Sequence, residues 1–538
     1  MAGNLATALL DEALVRGDAS RVALREPKRV WSYVTLFEES ARAGTAFSTL
    51  GIGRGESVAL LLHDSMELAS ALFGAMRVGA VAVPVNILLR PLELRALLND
   101  CAAVAIVVSA DLAPTVDVIR AEVPTLREVL VVGGARAGQR DYHALLRSTE
   151  TLRPPVDVDE DAPAFALYSA GAGRTPRGVA HGRRAVLSAH AAYAGDVLGL
   201  GAEDRVFSAV KLSTAYGLGL GLVFPLASGA STYLLPARPR PRTLFEVMAA
   251  YRPTVFAATP SLYAQMVQDY RALSGQRPRC FQTVRHAISG AEGLPPTLAD
   301  KINETFGVAP LHGFGVTEAL HFVFSNRPGE ARPASVGLPL RDVEARLVDA
   351  DGRPVPVEEI GLLELRGPTV ARDYLRARTA SAEETMIDLA PSRISAEGWV
   401  RPGDRFFMDR GGHYYHCGRD DDLFKVSGRW VSPEEVERTL LGHPAVWECA
   451  VVEGEDEDGL PRPHAFVVPN VGHAPSTMLS TALMEYVKAE IAPYKYPRAI
   501  EFVETLPKGE GGRILRWRLR PSHRIPNART QDSGPAAE

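Results

Sequence analysis

Long unbroken apolar runs are missing from this 538-residue sequence. The longest, Ala215–Ala230, carries four internal glycines and a proline. It falls short of the ~18–20 residues that cross a bilayer, so no membrane segment is expected. Basic blocks are missing too: the formal net charge is −5 and no run of five Lys or Arg occurs, which removes nucleic acid from the expected partners. Cysteine is scarce. Cys101, Cys280, Cys417 and Cys449 are widely separated and form no CxxC pair, so they read as reduced thiols rather than a disulfide or zinc framework. The opening MAGNLATALLDEALVRGD lacks the basic-then-apolar layout of a signal peptide, and a soluble, cytoplasmic protein is expected.

What is present is an ordinary globular composition, 46% apolar and 23% charged. The length exceeds the roughly 250–300 residues at which single cores stop growing, so two or more domains are expected. Thr35-Leu-Phe-Glu38 reads as a capping box opening an amphipathic helix that ends near Gly51. Short apolar runs at Ser57–Leu62, Ala80–Val85, Ala102–Val108 and Val129–Val132 alternate with helical patterns, one of them at about Ser65–Arg77. That rhythm predicts a parallel α/β sheet covered on both faces. After a charged junction at Gly418–Asp422 the pattern changes. Helices at Pro433–Leu441 and Thr477–Glu490 flank an apolar run at Trp447–Val452, a small α+β arrangement. The polar stretch from about Pro521 onward is expected to be disordered, and no internal repeat is visible.

Three segments carry candidate chemistry. Tyr168-Ser-Ala-Gly-Ala-Gly-Arg-Thr-Pro-Arg-Gly178 follows the apolar run Ala164–Leu167 and precedes a helical pattern. A small-residue loop at a strand-to-helix junction lets backbone N–H groups approach a phosphate; read alone, it fits an ordinary turn as well. Phe314-Gly-Val-Thr-Glu318 sets a hydroxyl beside a carboxylate, which suits Mg²⁺ held against phosphates but equally an exposed glutamate at a helix start. Asp404 in Trp399-Val-Arg-Pro-Gly-Asp404 and Arg419 in Gly418-Arg-Asp-Asp-Asp422 suit a ribose diol, or a solvated turn.

Their order along the chain narrows these readings. Tyr168–His181, Ser289-Gly-Ala-Glu-Gly-Leu-Pro295, Phe314–Glu318, Gly361–Gly367, Pro402–Asp404, Gly418–Gly428 and Leu506–Arg520 resemble the successive core motifs of adenylate-forming enzymes. That superfamily comprises acyl-CoA synthetases, luciferases and peptide-synthetase adenylation domains, and the likeness runs from about residue 20 to 520. Asp204–Leu212, Ala215-Tyr-Gly-Leu-Gly219, Leu320–Asn326, Lys425–Pro433 and Ala492–Pro497 are similar to the benzoate- and hydroxybenzoate-CoA ligase branch. The resemblance implies an α/β N-terminal domain of layered, mostly parallel sheets (1–420), a small mobile α+β C-terminal domain (421–523) and a disordered tail (524–538). It implies adenylation of an aromatic acid by MgATP and then thioester formation on CoA or a carrier protein. Homodimers are common among similar proteins.

The roles implied by the resemblance are these. Ser169, Gly171, Gly173, Arg174, Gly178, Gly290, Ala291, Glu292, Phe314, Asp404 and Arg419 would bind ATP and AMP, the last two through the ribose. Thr317 and Arg177 would meet the phosphates and Glu318 would bind Mg²⁺. Ala215, Tyr216, Gly315, His321 and Phe322 would line a flat aryl pocket, with an aromatic Phe322 where the branch often carries an aliphatic side chain. Asp421 would be the hinge. Two departures stand out. The phosphate loop has Ala170, Ala172 and Gly173 where hydroxyl residues are usual, Arg174 for glycine and Arg177 for lysine. Pro507-Lys-Gly-Glu-Gly-Gly-Arg513 places Arg513 where the family carries its catalytic lysine, with Lys508 five residues too early to replace it. Arg keeps the charge but is planar and longer. These changes leave open a divergent enzyme that activates another group, such as nitrite for diazotising an arylamine without CoA, or a catalytically impaired binding protein.

Overall fold

The computed structural model describes residues 3–149, 151–169, 177–273, 279–372, 374–375, 394–395, 397–420, 422–426, 429–456, 460–492, 494–508 and 514–519. The expectations for Gly171, Gly173, Arg174, Asp421, Arg513 and the 524–538 tail lie outside them. The chain divides into two compact units, Met1–His416 and Cys417–Glu538.

The first unit is α/β and built on two large sheets. The sheet of Arg140–Asp141, Glu128–Val132, Ala103–Ser109, Ser57–Leu61, Val81–Pro84 and Phe165–Ser169 is parallel, with Arg177–His181 added antiparallel at its edge. All five residues of Ser57–Leu61 are buried, as a strand covered on both faces requires. The second sheet has a parallel centre: Pro310–Gly315, His286–Ser289, Val255–Ala258, Arg205–Ser208, Ser231–Tyr233 and Val22–Arg25. Phe322–Ser325 and Leu338–Pro339 extend one edge antiparallel. Parallel strands point their C-terminal ends the same way, which is where α/β sheets place ligands.

Two expectations need correction. The helix foreseen from Thr35 begins two residues earlier, at Tyr33, because the Ser32 side chain accepts the Thr35 N–H and takes the N-cap. The phosphate-loop segment is not a strand-to-helix junction. The strands on either side of residues 170–176 pair antiparallel, Ser169 opposite Arg177, and the helix Arg183–Ala189 starts only afterwards. No helix among the described residues is long and apolar enough to cross a membrane; Ala215–Ala227 instead runs as short α and π segments.

The second unit pairs Val446–Glu455 antiparallel with Pro461–Pro469, which runs parallel to Ala499–Phe502. The helices Pro433–Leu441 and Thr477–Glu490 cover a core that includes Val436, Leu440, Val451, Ala465, Leu483 and Val487. Inside it, the Arg516 guanidinium binds both carboxylate oxygens of Glu437 at 3.0 and 2.6 Å. A buried bidentate pair of this kind fixes register more than it adds stability. Lys508 is committed elsewhere, its Nζ 2.5 Å from Glu448.

Candidate active site

The strand Arg177–His181 meets the turn after Pro310–Gly315 through one histidine. His181 is buried, and its Nε2–H donates to the Thr317 carbonyl at 2.8 Å. Burial pushes its pKa down to about 4, so it stays neutral and keeps that donor. The bond fixes the Thr317–Ala319 turn and with it Glu318, a carboxylate only 7% exposed. The Tyr374 hydroxyl donates to Glu318 Oε1 at 3.4 Å, and the Ala371 N–H donates to the Glu318 carbonyl at 2.7 Å. The Arg177 guanidinium lies over the Tyr374 ring, 5.6 Å from its centre. Gly178 is required by packing, since a Cβ there would stand 2.8 Å from the Tyr168 ring. Arg177, Gly178, Thr317 and Glu318 therefore meet around Tyr374, which the sequence reading did not single out.

Asp404 is also buried. The His416 imidazole donates from Nε2 to Asp404 Oδ1 at 3.0 Å, and its ring leans on Phe314 and Phe406 at 5.3 and 4.9 Å between centres. Phe314 thus touches the residue that orients Asp404. Arg419 ends the strand Tyr414–Arg419 and belongs to the second unit. Glu292 is used structurally: its Oε2 accepts from the backbone N–H and hydroxyl of Ser261, at 3.0 and 2.6 Å, at the start of helix Pro260–Leu273. Ala291, next to buried Gly290, has a positive φ of 70°, a strained choice for a residue with a Cβ.

The residues expected at the aryl pocket do cluster. Thr214 caps the turn that carries Ala215 and Tyr216, its Oγ1 accepting from the Gly217 N–H at 3.1 Å. The chain reverses at Leu320, whose φ of +67° and ψ of −47° form a γ-turn closed by the His321 N–H on the Ala319 carbonyl at 2.8 Å. Such turns are rare and strained, and this one aims His321 and Phe322 inward. Gly315 is obligatory beside it, because a Cβ there would stand 2.2 Å from the His321 carbonyl. Phe322 is 4% exposed and packs on bare backbone: Cβ atoms at Gly290 and Gly313 would lie 2.4 and 2.5 Å from its ring. It stacks on Tyr216 at 5.1 Å and 30°. A third ring between two others needs about 7 Å, so Tyr216 and Phe322 are in contact rather than two sides of a slot. Tyr193 and His416 escaped the sequence reading, and Leu320 figured there only as the first residue of the segment Leu320–Asn326. A leucine in a strained turn leaves no compositional mark, and an isolated tyrosine or histidine gains meaning only from its neighbours.

A family model for AMP-binding enzymes matches residues 11–375, and the model for their C-terminal domain matches residues 435–513. The chain belongs to this AMP-binding, adenylate-forming enzyme family. Within the family it falls in the branch similar to benzoate-CoA ligases. It is 36% identical over 523 residues to the benzoate–CoA ligase of Thauera aromatica, covering 96% of this chain and 95% of that one. The crystal structure of the anthranilate CoA ligase AuaEII with anthranoyl-AMP matches with a TM-score of 0.88 and 34% identity, over 96% of both chains. A benzoate CoA ligase from Burkholderia xenovorans LB400 matches with a TM-score of 0.85 and 33% identity, over 96% of this chain and 100% of that one.

Proposed function

We propose that this protein activates an aromatic carboxylic acid with ATP, forming an aroyl-adenylate and pyrophosphate, and then transfers the aroyl group to the CoA thiol with release of AMP. The observation that carries this reading is identity at 36% to a benzoate–CoA ligase along nearly the whole chain, coupled to the aromatic cluster of Tyr216, His321 and Phe322 that follows Glu318 in the chain. In this reading the acid lies against Tyr216, His321 and Phe322, with Ala215 and Gly315 beside them. Its carboxylate attacks the α-phosphate, and positive charge and N–H donors stabilise the phosphoryl oxygens. Arg177 and Thr317 face the phosphates, Asp404 and Arg419 hold the ribose, and Arg513 takes the role of the family's lysine.

Glu318 suits Mg²⁺. It is a buried carboxylate with the Thr317 hydroxyl next in sequence, an oxygen set that fits a hard cation which prefers one or two carboxylates plus phosphates. Bound there, Mg²⁺ neutralises phosphate charge. A cytoplasmic location, a carrier-protein acceptor in place of CoA and a homodimer are compatible with the same chemistry.

A second reading is favoured by the altered loop and Arg513 together. Activation of a small anion such as nitrite, for diazotising an arylamine, asks less of a lysine shaped for an acyl carboxylate. Exchange of labelled pyrophosphate into ATP, run with benzoates, cinnamates and aminobenzoates, separates the two. Acid-dependent exchange followed by CoA-dependent AMP release supports the first reading. ATP consumption that requires nitrite plus an arylamine and ignores CoA replaces it with the second.

A further inference from the structure

Against Phe322 lies a polar pair whose hydrogen-bonding capacity the fold leaves unused. Tyr193 sits on the helical turn His190–Gly195 and His321 follows the Leu320 reversal. Their ring centres are 5.1 Å apart, and each touches Phe322, at 5.1 and 4.7 Å respectively. Tyr193 is 0% and His321 2% exposed. Tyr193 Oη and both His321 ring nitrogens are nevertheless buried without a hydrogen-bond partner. Ser325 neighbours Tyr193 and the Tyr216 backbone neighbours His321, but neither closes a bond of acceptable geometry. The Ser325 hydroxyl is donated to the Asn326 carbonyl at 2.8 Å.

The neighbouring tyrosines differ from the pair. Tyr216 and Tyr263 both donate to the Ile288 carbonyl, at 3.1 and 3.2 Å. The rest of the wall around His321 is apolar: Phe224 at 4.8 Å, Phe322, and Gly219, whose added Cβ would lie 2.5 Å from the imidazole. Adjacent buried groups with unmet donors and acceptors are exceptional in native folds and call for a ligand that completes them.

We propose that Tyr193 and His321 form a recognition point for a hydroxyl or amino substituent on the aromatic ring of the acid. The proposal rests on the aryl-acid reading above. Burial pushes the His321 pKa down to about 3, so its imidazole presents one N–H donor and one lone pair, and the Tyr193 phenol likewise donates and accepts. A small neutral group that does both completes the pair. A ring carboxylate or ammonium would be stripped of water there with no counter-charge. An unsubstituted ring leaves both groups unpaired, which is the strongest form of discrimination such a site has.

The test is pyrophosphate release with benzoate and with each hydroxy- and aminobenzoate isomer, on the wild type, Tyr193→Phe and His321→Asn. The wild type is expected to prefer one substituted acid over benzoate by roughly tenfold or more in kcat/KM, chiefly through KM. Tyr193→Phe removes one hydroxyl and keeps the ring, and that preference should fall at least fivefold. His321→Asn serves as the independent variant if Tyr193→Phe does not fold. Benzoates accepted by the wild type with no substituent preference, or a preference unchanged in the variants, overturn the proposal alone. A wild type that adenylates no aromatic acid overturns the functional reading and this proposal with it.

Discussion

Asp404 and His416 show how a single contact turns a motif residue into a defined group. The sequence presents Asp404 as one aspartate in a Pro-Gly loop. The fold buries it and donates to it from His416 Nε2 at 3.0 Å. His416→Phe keeps a ring beside Phe314 and Phe406 but removes the donor. It should raise the KM for ATP severalfold while the KM for the acid changes little; equal shifts in both would mean that His416 does not act through Asp404. A second residue-scale expectation concerns pH. His181 and His321 are held at about 4 and about 3 against an ordinary 6.5. The unfolded chain therefore binds more protons below pH 6.5, and stability drops as pH falls from 6.5 through 4. Melting temperatures measured across that range should decline, and decline less in His181→Gln. Asp404 was legible in the sequence because its loop is short and ordered among other motifs. His416 was not, since its meaning lies in a contact between two neighbouring strands.

At the scale of elements, periodicity served well where burial alone dictates structure. The runs at Ser57–Leu62 and Ala102–Val108 became the strands Ser57–Leu61 and Ala103–Ser109, and Thr477–Glu490 is a helix over the foreseen span. Where a hydrogen bond or a reversal decides, periodicity had no purchase. Ser32 rather than Thr35 caps its helix, and a hairpin rather than a helix start flanks the phosphate loop. The Leu320 γ-turn lays Phe322 across Gly290 and Gly313 and against Tyr216. With those two rings already touching, the proposed reading makes Phe322 the residue that limits the width of the acid site. Phe322→Ile shortens the side chain and removes the stack, and it should widen the accepted range toward bulkier ring-substituted acids. Assays over para-substituted benzoates check this. A gain of tenfold or more for the larger acids is expected, and an unchanged ranking would show that Phe322 packs the core only.

The whole molecule poses the question of how one altered residue near its C-terminal end affects chemistry built on its first 416 residues. Arg513 follows Lys508 by five positions, and Lys508 pairs with Glu448 at the surface of the second unit. Three residues after Arg513, Arg516 is anchored in the second unit's core by its bidentate pair with Glu437. On the proposed reading Arg513 takes the place of the family's lysine. A guanidinium meets phosphate with paired N–H groups where an ammonium offers a point charge, and one charge-assisted bond is worth roughly 1.5–3 kcal/mol. Arg513→Ala should therefore slow adenylation at least tenfold, measured as acid-dependent pyrophosphate exchange. Thioester formation from a supplied aroyl-adenylate should be much less affected, because no phosphoryl transfer remains in that step. Arg513→Lys separates charge from shape: recovery to the wild-type rate means that charge alone matters, whereas a persisting defect means that the phosphate loop, with Arg177 in place of lysine, is matched to a planar cation. An unchanged exchange rate in Arg513→Ala would remove this residue from the mechanism and shift the reading toward activation of a different anion.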